Sequence, residues 1–213
     1  MLNYEHFDAI LFDMDGTIFD SEAVHRDAWI MTAKQFGQTF TAEMYLQFIG
    51  MTTPDCMKLA MEMFHNQVEL ETFSQRYYQN LETLLENPVP LKTGFSKYLQ
   101  RLKSIGLPLG IVTSSAGAGV EANFRHYSFY GDFTVVVTRD DVSNFKPSPE
   151  PYLLACDKLN VAPHQTIVFE DSNTGATAGI DAGCYTIGIP DLVPFTQQVS
   201  QRLARELSSF EEL

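Results

Sequence analysis

Ala9-Ile10-Leu11-Phe12 runs without a break into Asp13-Met14-Asp15-Gly16-Thr17, and this junction limits the possible folds more than any other stretch. Four consecutive apolar residues before a turn signal read as a short strand covered on both faces, the kind found inside parallel sheets. If the strand continued, Asp13 and Asp15 would face the same side, about 7 Å apart. Gly16 lets the chain leave the sheet, and Asp20-Ser21 can cap a helix. A calcium loop of the EF-hand type would need an acid or amide at its fifth position and Gly at its sixth. Thr17 and Ile18 stand there instead. Two acids ending a buried strand are costly unless a cation accompanies them. The junction therefore reads as a magnesium-dependent phosphoryl-transfer site, with a pair of turn-capping aspartates as the structural alternative.

From Ser21 to Asn87 the pattern is helical. Val24, Ala28, Trp29, Ala33 and Phe36 recur at helical spacing before Gly37. A shorter segment, Ala42 to Phe48, stops at Gly50, and Thr53-Pro54 starts a helix through Phe64. Leu70 to Leu85 forms a fourth helix, ended by Asn87-Pro88-Val89-Pro90. So long a helical insert directly after a site strand suggests a lid, against the plainer reading of an ordinary helical layer.

After Pro90 the rhythm becomes helix, strand, helix, strand. Helices are expected from Phe95 to Ile105 (closed by Gly106), Gly119 to Tyr127, Pro149 to Leu159, Thr174 to Ala182 and Phe195 to Leu207. Strands are expected at Leu109 to Val112, Phe133 to Val137, Thr166 to Phe169 and Tyr185 to Ile189. Short apolar strands alternating with helices predict an α/β fold with a parallel sheet covered on both faces. Ligands bind such sheets beyond the carboxyl ends of the strands. Those ends carry Asp13 and Asp15, then Thr113-Ser114-Ser115, then a loop leading to Lys146-Pro147-Ser148-Pro149, then Glu170-Asp171. Hydroxyls and amides opening a helix suit an anion, and the prolines flanking Ser148 stiffen the loop that carries Lys146. Each feature has a bland reading as a helix cap or a solvated lysine; all of them falling at successive strand ends favours a site.

The apolar fraction of 45% is that of a globular chain, so disorder is not expected. A formal net charge of −13 argues against nucleic acid or an anionic membrane as partner. It also requires any phosphate pocket to carry its own positive charge. Cys56, Cys156 and Cys184 are odd in number and lack Cys-x-x-Cys spacing, as expected of reduced core thiols in a cytoplasmic protein. No basic leader or long apolar run is present.

Asp-x-Asp-Gly-Thr, the threonine at the second strand end, Lys-Pro-x-Pro and Glu-Asp together make the chain resemble the haloacid dehalogenase-like hydrolase superfamily, most closely its small-cap phosphatases and β-phosphoglucomutase-like enzymes. The resemblance implies a Rossmann-like three-layer core, residues 1–17 and 91–213, with a helical cap inserted at 18–90. It implies Asp13 as a nucleophile that becomes an aspartyl phosphate. Asp15 would protonate the leaving alcohol, deprotonate water and lend its backbone carbonyl to the metal. Mg²⁺ would be held by Asp13, Asp15 and Asp171, with Glu170 in its outer shell. Thr113, Ser114, Lys146, Gly16 and His25 would form the phosphate- and substrate-binding set. A monomer is the default for this cap type, and the partner is a small phosphorylated metabolite, a sugar phosphate first.

Asp15 disfavours dehalogenation, because the dehalogenases lack that acid. His25 matches a cap-hinge histidine of both mutases and phosphatases. Mutases place a basic residue just after a Gly-x-Ser/Thr turn where Gly50-Met51-Thr52-Thr53 has threonine, and a cap lysine aligns near Arg76-Tyr77. Ser115-Ala116-Gly117 lacks their Lys-Asn pair. Hydrolysis is therefore expected over a mutase reaction. Other classes are weaker. Gly117-Ala118-Gly119-Val120-Glu121-Ala122 fits a dinucleotide fingerprint with Asp140 near the expected distance, but residues 114–116 separate it from the strand. A non-catalytic regulator leaves the filled chemical positions unexplained, and a receiver-like phosphoacceptor does not need Asp15 or the helical insert.

Overall fold

The computed structural model describes residues 2–49, 51 and 53–213. The chain divides into two compact units, residues 1–20 with 90–213 and residues 21–89. The first unit holds six strands: β1 (Ala9–Phe12), β2 (Leu109–Val112), β3 (Val135–Val137), β4 (Thr166–Glu170), β5 (Tyr185–Gly188) and β6 (Arg205–Glu206). All pair in parallel in the order β3-β2-β1-β4-β5-β6. This is the expected α/β, Rossmann-like sheet, with β1 at its centre.

All four residues of β1 are fully buried, as a strand covered on both faces must be. Its alternate side chains serve different layers. Phe12 stacks on Phe169 at 5.1 Å and meets Phe95, Tyr98, Phe133 and Phe210 edge-on or tilted. Leu11 belongs to the opposite layer with Val112, Val168, Tyr152, Ala155 and Ala178. Register places Phe12 beside Ile111 on one side and Phe169 on the other, so these strands end at one level. Residues at that level become neighbours whatever their distance in sequence.

In the helical unit α1 (Ser21–Gln35) and α4 (Leu70–Leu85) are its long elements, with α2 (Ala42–Tyr45) and α3 (Thr53–Met63) between them. The predicted stripe on α1 is buried at Ala28, Trp29 and Ala33. Trp29 lies 4.8 Å from Phe48 and 4.7 Å from Tyr77, ring to ring. Buried Asn80 donates to Thr32 Oγ1 at 2.9 Å, so the polar atoms between α1 and α4 are satisfied. Gly50 and Thr52, invoked above for a helix stop and for the mutase comparison, lie outside the described residues.

The helices of the first unit follow: α5 (Phe95–Ile105), α6 (Gly117–Phe124), α7 (Glu150–Leu159), α8 (Asn173–Asp181) and α9 (Gln197–Ser200). Among the described residues no helix is long and apolar enough to cross a membrane. Three expectations are corrected. α6 opens at Gly117, not Gly119, and stops at Phe124, not Tyr127. The chain from Phe195 to Leu207 is not one helix: α9 has one turn, and the chain then extends into β6. Phe195, Val199, Leu203 and Leu207 carry the four-residue spacing of a helix. However, the outer edge of β5 offers unpaired carbonyls, and Ala204 and Leu207 donate to Thr186 and Gly188 at 2.9 Å each. Sheet pairing overrides local periodicity there. β3 also begins two residues late, because Phe133 still closes a turn on Tyr130.

Candidate active site

β1 stops at Phe12, so Asp13 and Asp15 do not continue it as strand neighbours. Asp13 N donates to Phe169 O at 3.0 Å, and the chain then folds back so that Gly16 N meets Phe19 O at 2.8 Å. Gly16 adopts φ +84°, and a Cβ there would come within 2.3 Å of Asp171 Oδ2. Both facts demand glycine. The two aspartates consequently acquire different partners.

Asp13 Oδ1 accepts a hydrogen bond from Lys146 Nζ at 2.6 Å. The same ammonium donates to Glu170 Oε1 at 2.7 Å and to Val112 O at 2.8 Å, which uses all three of its protons. The Lys146 side chain is 5% exposed. Glu170, fully buried, also accepts from Tyr152 OH at 2.6 Å on Oε1 and from Asp171 N at 3.2 Å and Ser172 Oγ at 3.3 Å on Oε2. A Cβ on Gly175 would sit 1.9 Å from Oε1, so the opening of α8 must carry glycine for Glu170 to fit. Asp171 Oδ1 takes a bond of 3.3 Å from Thr17 Oγ1. Asp13, Glu170 and Asp171 each place one oxygen within 4.8 Å of the others.

Asp15 lies outside that cluster. Its Oδ2 accepts from Ser115 Oγ at 2.6 Å and its Oδ1 from Asn123 Nδ2 at 3.0 Å. Thr113 is buried at the end of β2 and accepts from Ser115 N at 3.0 Å, while Ser114 is exposed. His25 sits on α1 in the helical unit, where its Nδ1 lies 2.8 Å from Tyr77 OH. The structure thus brings Asp13, Lys146, Glu170, Asp171 and Gly16 together, and holds Asp15 beside them on a separate pair of donors.

Burial raises the Asp13 carboxyl well above the usual range, and repulsion from Glu170 and Asp15 adds to this against the pull of Lys146. Asp171 is raised by burial first, then by Asp13, Glu170 and Asp191. Burial opposes the charge of Lys146, but Asp13 and Glu170 outweigh it and hold the ammonium above its ordinary value. Three clustered acids against one lysine leave a local excess of negative charge that a divalent cation would neutralise. Their oxygens span little more than twice the roughly 2.1 Å of a Mg–O bond. Glu170, with both oxygens already engaged, suits an outer-shell place.

These raised values have a consequence for the metal-free protein. A carboxyl whose folded pKa is raised contributes stability that is full below about pH 4 and is lost as pH rises through the folded value. Asp171→Asn is therefore expected to melt higher than the unsubstituted chain in EDTA, by a margin that widens as pH rises above that range. Thermal melts across a pH series check it; a margin that narrows with rising pH contradicts the assignment.

Several contacts escaped sequence reasoning. Ser115 and Asn123 grip Asp15, and Tyr152 seals Glu170. Asp191 follows β5 and pairs with Lys92 at 2.5 Å. The strand-end rule applied above to β1, β2, β3 and β4 would have found Asp191 had it been extended to β5.

The family model for haloacid dehalogenase-like hydrolases matches residues 10–189. A phosphorylated carbohydrates phosphatase of Thermotoga maritima is 30% identical over 83% of this chain and 82% of its own. A β-phosphoglucomutase of Bacillus subtilis is 26% identical over 85% and 82%. The crystal structure of a HAD family hydrolase from Deinococcus radiodurans with bound phosphate and sodium superposes with a TM-score of 0.84, at 25% identity over 97% of this chain and 93% of that one. The chain belongs to the haloacid dehalogenase-like hydrolases. Its relatives within that family include named phosphatases and a β-phosphoglucomutase.

Proposed function

We propose that the chain is a Mg²⁺-dependent phosphatase of a small phosphorylated metabolite, a sugar phosphate foremost, working through an aspartyl phosphate on Asp13. The observation that carries this reading is the Lys146 ammonium, buried and shared between Asp13 and Glu170. Together with the ion, it would supply the positive charge that an acidic protein needs in order to admit a phosphate. Asp13, the Asp15 backbone carbonyl and Asp171 would hold the ion, whose chemistry is to neutralise phosphoryl oxygens and orient the ester.

Asp13 Oδ1 is fixed by Lys146, and among the described residues Oδ2 takes no hydrogen bond, which suits it to attack phosphorus. The phosphorus–ester bond breaks as the Asp13–phosphorus bond forms, and Asp15 gives its proton to the departing alkoxide. Asp15 then takes a proton from water as that water attacks phosphorus, which releases inorganic phosphate and restores Asp13. Lys146, its three protons already engaged, would neutralise the phosphoryl oxygens by its charge, while Thr113 and the Ser114 amide bind them, with Gly16 letting the backbone approach. The helical unit, His25 included, serves as the cap that selects the substrate. The free thiols suit the cytoplasm, and the chain works as a monomer.

Asp15→Asn keeps the size of the side chain but not its proton. It is expected to lower kcat by roughly 10²–10⁴-fold, measured as phosphate release at saturating substrate; a loss below about tenfold contradicts its role. Hydrolysis is favoured over a mutase reaction because the Ser115 hydroxyl is already committed to Asp15 and the 115–117 loop brings no cation for a second phosphate. The test is phosphate release from a panel of phosphorylated sugars, nucleotides and acids, with Mg²⁺ and with EDTA. Release from sugar phosphates with Mg²⁺ and none with EDTA supports the reading. Failure to release phosphate from any member contradicts it, and isomerisation of a sugar phosphate without net release points to the mutase.

A further inference from the structure

Asp191 stands at the carboxyl end of the sheet, just after β5, and the mechanism above does not use it. Lys92 Nζ holds its Oδ1 at 2.5 Å. The side chain is only 8% exposed, and Oδ2 is buried with no hydrogen-bond partner. A buried anionic oxygen without a donor is costly and calls for an explanation.

The direction of that oxygen supplies one. A Cβ on Gly16 would lie 3.3 Å from Asp191 Oδ2 and 2.3 Å from Asp171 Oδ2. Two carboxylate oxygens, from the ends of β4 and β5, therefore converge on the bare Cα of one glycine. Among the described residues Asp191 Oδ2 takes no hydrogen bond from Asp171 or any other group, so whatever joins the two oxygens must bind or donate to both. Lys92 already serves the other oxygen of Asp191. A hydrated divalent cation meets the requirement: Asp171 takes the ion directly and a water on the ion donates onward. Mg²⁺ gives up its waters reluctantly and keeps several when bound to protein.

We propose that Asp191 is a positioning residue for the metal, its Oδ2 accepting a hydrogen bond from ion-bound water while Lys92 fixes the carboxylate so that this oxygen faces Asp171. The proposal rests on the metal reading given above. Carboxylates in this outer position tune affinity and the orientation of the ligands they support.

The test is Mn²⁺ binding by the purified full chain, read by electron paramagnetic resonance of the free ion, with no substrate present. Asp191→Ala is expected to weaken binding roughly tenfold or more. Asp191→Asn, nearly isosteric, should also weaken it, because its single oxygen can serve Lys92 or the water but not both. The Mg²⁺ needed for half-maximal phosphate release should rise by the same factor. If Asp191→Ala does not fold, Asp191→Asn carries the test. A purely structural Lys92–Asp191 pair would lower the melting temperature of the metal-free variants and leave their Mn²⁺ affinity within about twofold of the unsubstituted chain. That result, with Asp171→Asn losing affinity, overturns the proposal and spares the metal reading. An unsubstituted chain that binds no Mn²⁺ overturns both.

Discussion

Asp13→Asn is expected to remove turnover almost entirely, by about 10⁵-fold or more, the scale seen when a covalent nucleophile is deleted. The substitution is close to isosteric, and an amide oxygen can still accept from Lys146, whose bond to Oδ1 is 2.6 Å. It also removes one of the three clustered charges, so the folded state is not expected to suffer. The effect belongs to the chemical step: an amide is too poor a nucleophile toward phosphorus to form the covalent intermediate. Phosphate release at saturating Mg²⁺ and substrate, with a melting curve beside it, checks this. Residual activity within about a hundredfold of the unsubstituted chain would mean that another group attacks.

Lys146→Met is expected to affect both stability and rate. The ammonium is the one cation bonded to Asp13 and Glu170 among the described residues, and Glu170 is fully buried. Breaking a buried ion pair from one side typically costs about 3–5 kcal/mol, because the partner charge stays behind. For a chain of this size that corresponds to a fall in melting temperature of roughly 6–20 °C in EDTA. Mg²⁺ should recover part of the loss, since it neutralises the same acids, whereas activity should not return. An unchanged melting temperature would contradict the picture of Lys146 as the counter-charge of this cluster.

The central strand and the residues at its level were legible in sequence for a physical reason. A parallel sheet brings strand ends together, so Asp13, Thr113 and Glu170-Asp171 could be assembled from local patterns alone. Lys146 was legible through its stiff proline-flanked loop, and it lies within hydrogen-bond distance of Asp13, as a shared site requires. The grip on Asp15 was not legible. Ser115 and Asn123 stand 100 and 108 residues away from it, and nothing in their neighbourhoods announces the contact. The pairing of Lys92 with Asp191, 99 residues apart, was hidden in the same way, although the place of Asp191 after the fifth strand was legible. The last strand was lost to a spacing that suits a helix equally well, decided only by the free edge of β5. Local sequence marks where groups leave the sheet; partners chosen across the sheet need the fold.

The measurement that bears most directly on the account is acid-quenched mass spectrometry of the protein during turnover of a hydrolysed sugar phosphate. A single phosphoryl group on the peptide containing Asp13, formed with Mg²⁺ and absent both in EDTA and from Asp13→Asn, is the predicted result. Steady phosphate release with no phosphorylated Asp13 at any quench time, or with the group on another residue, would contradict it.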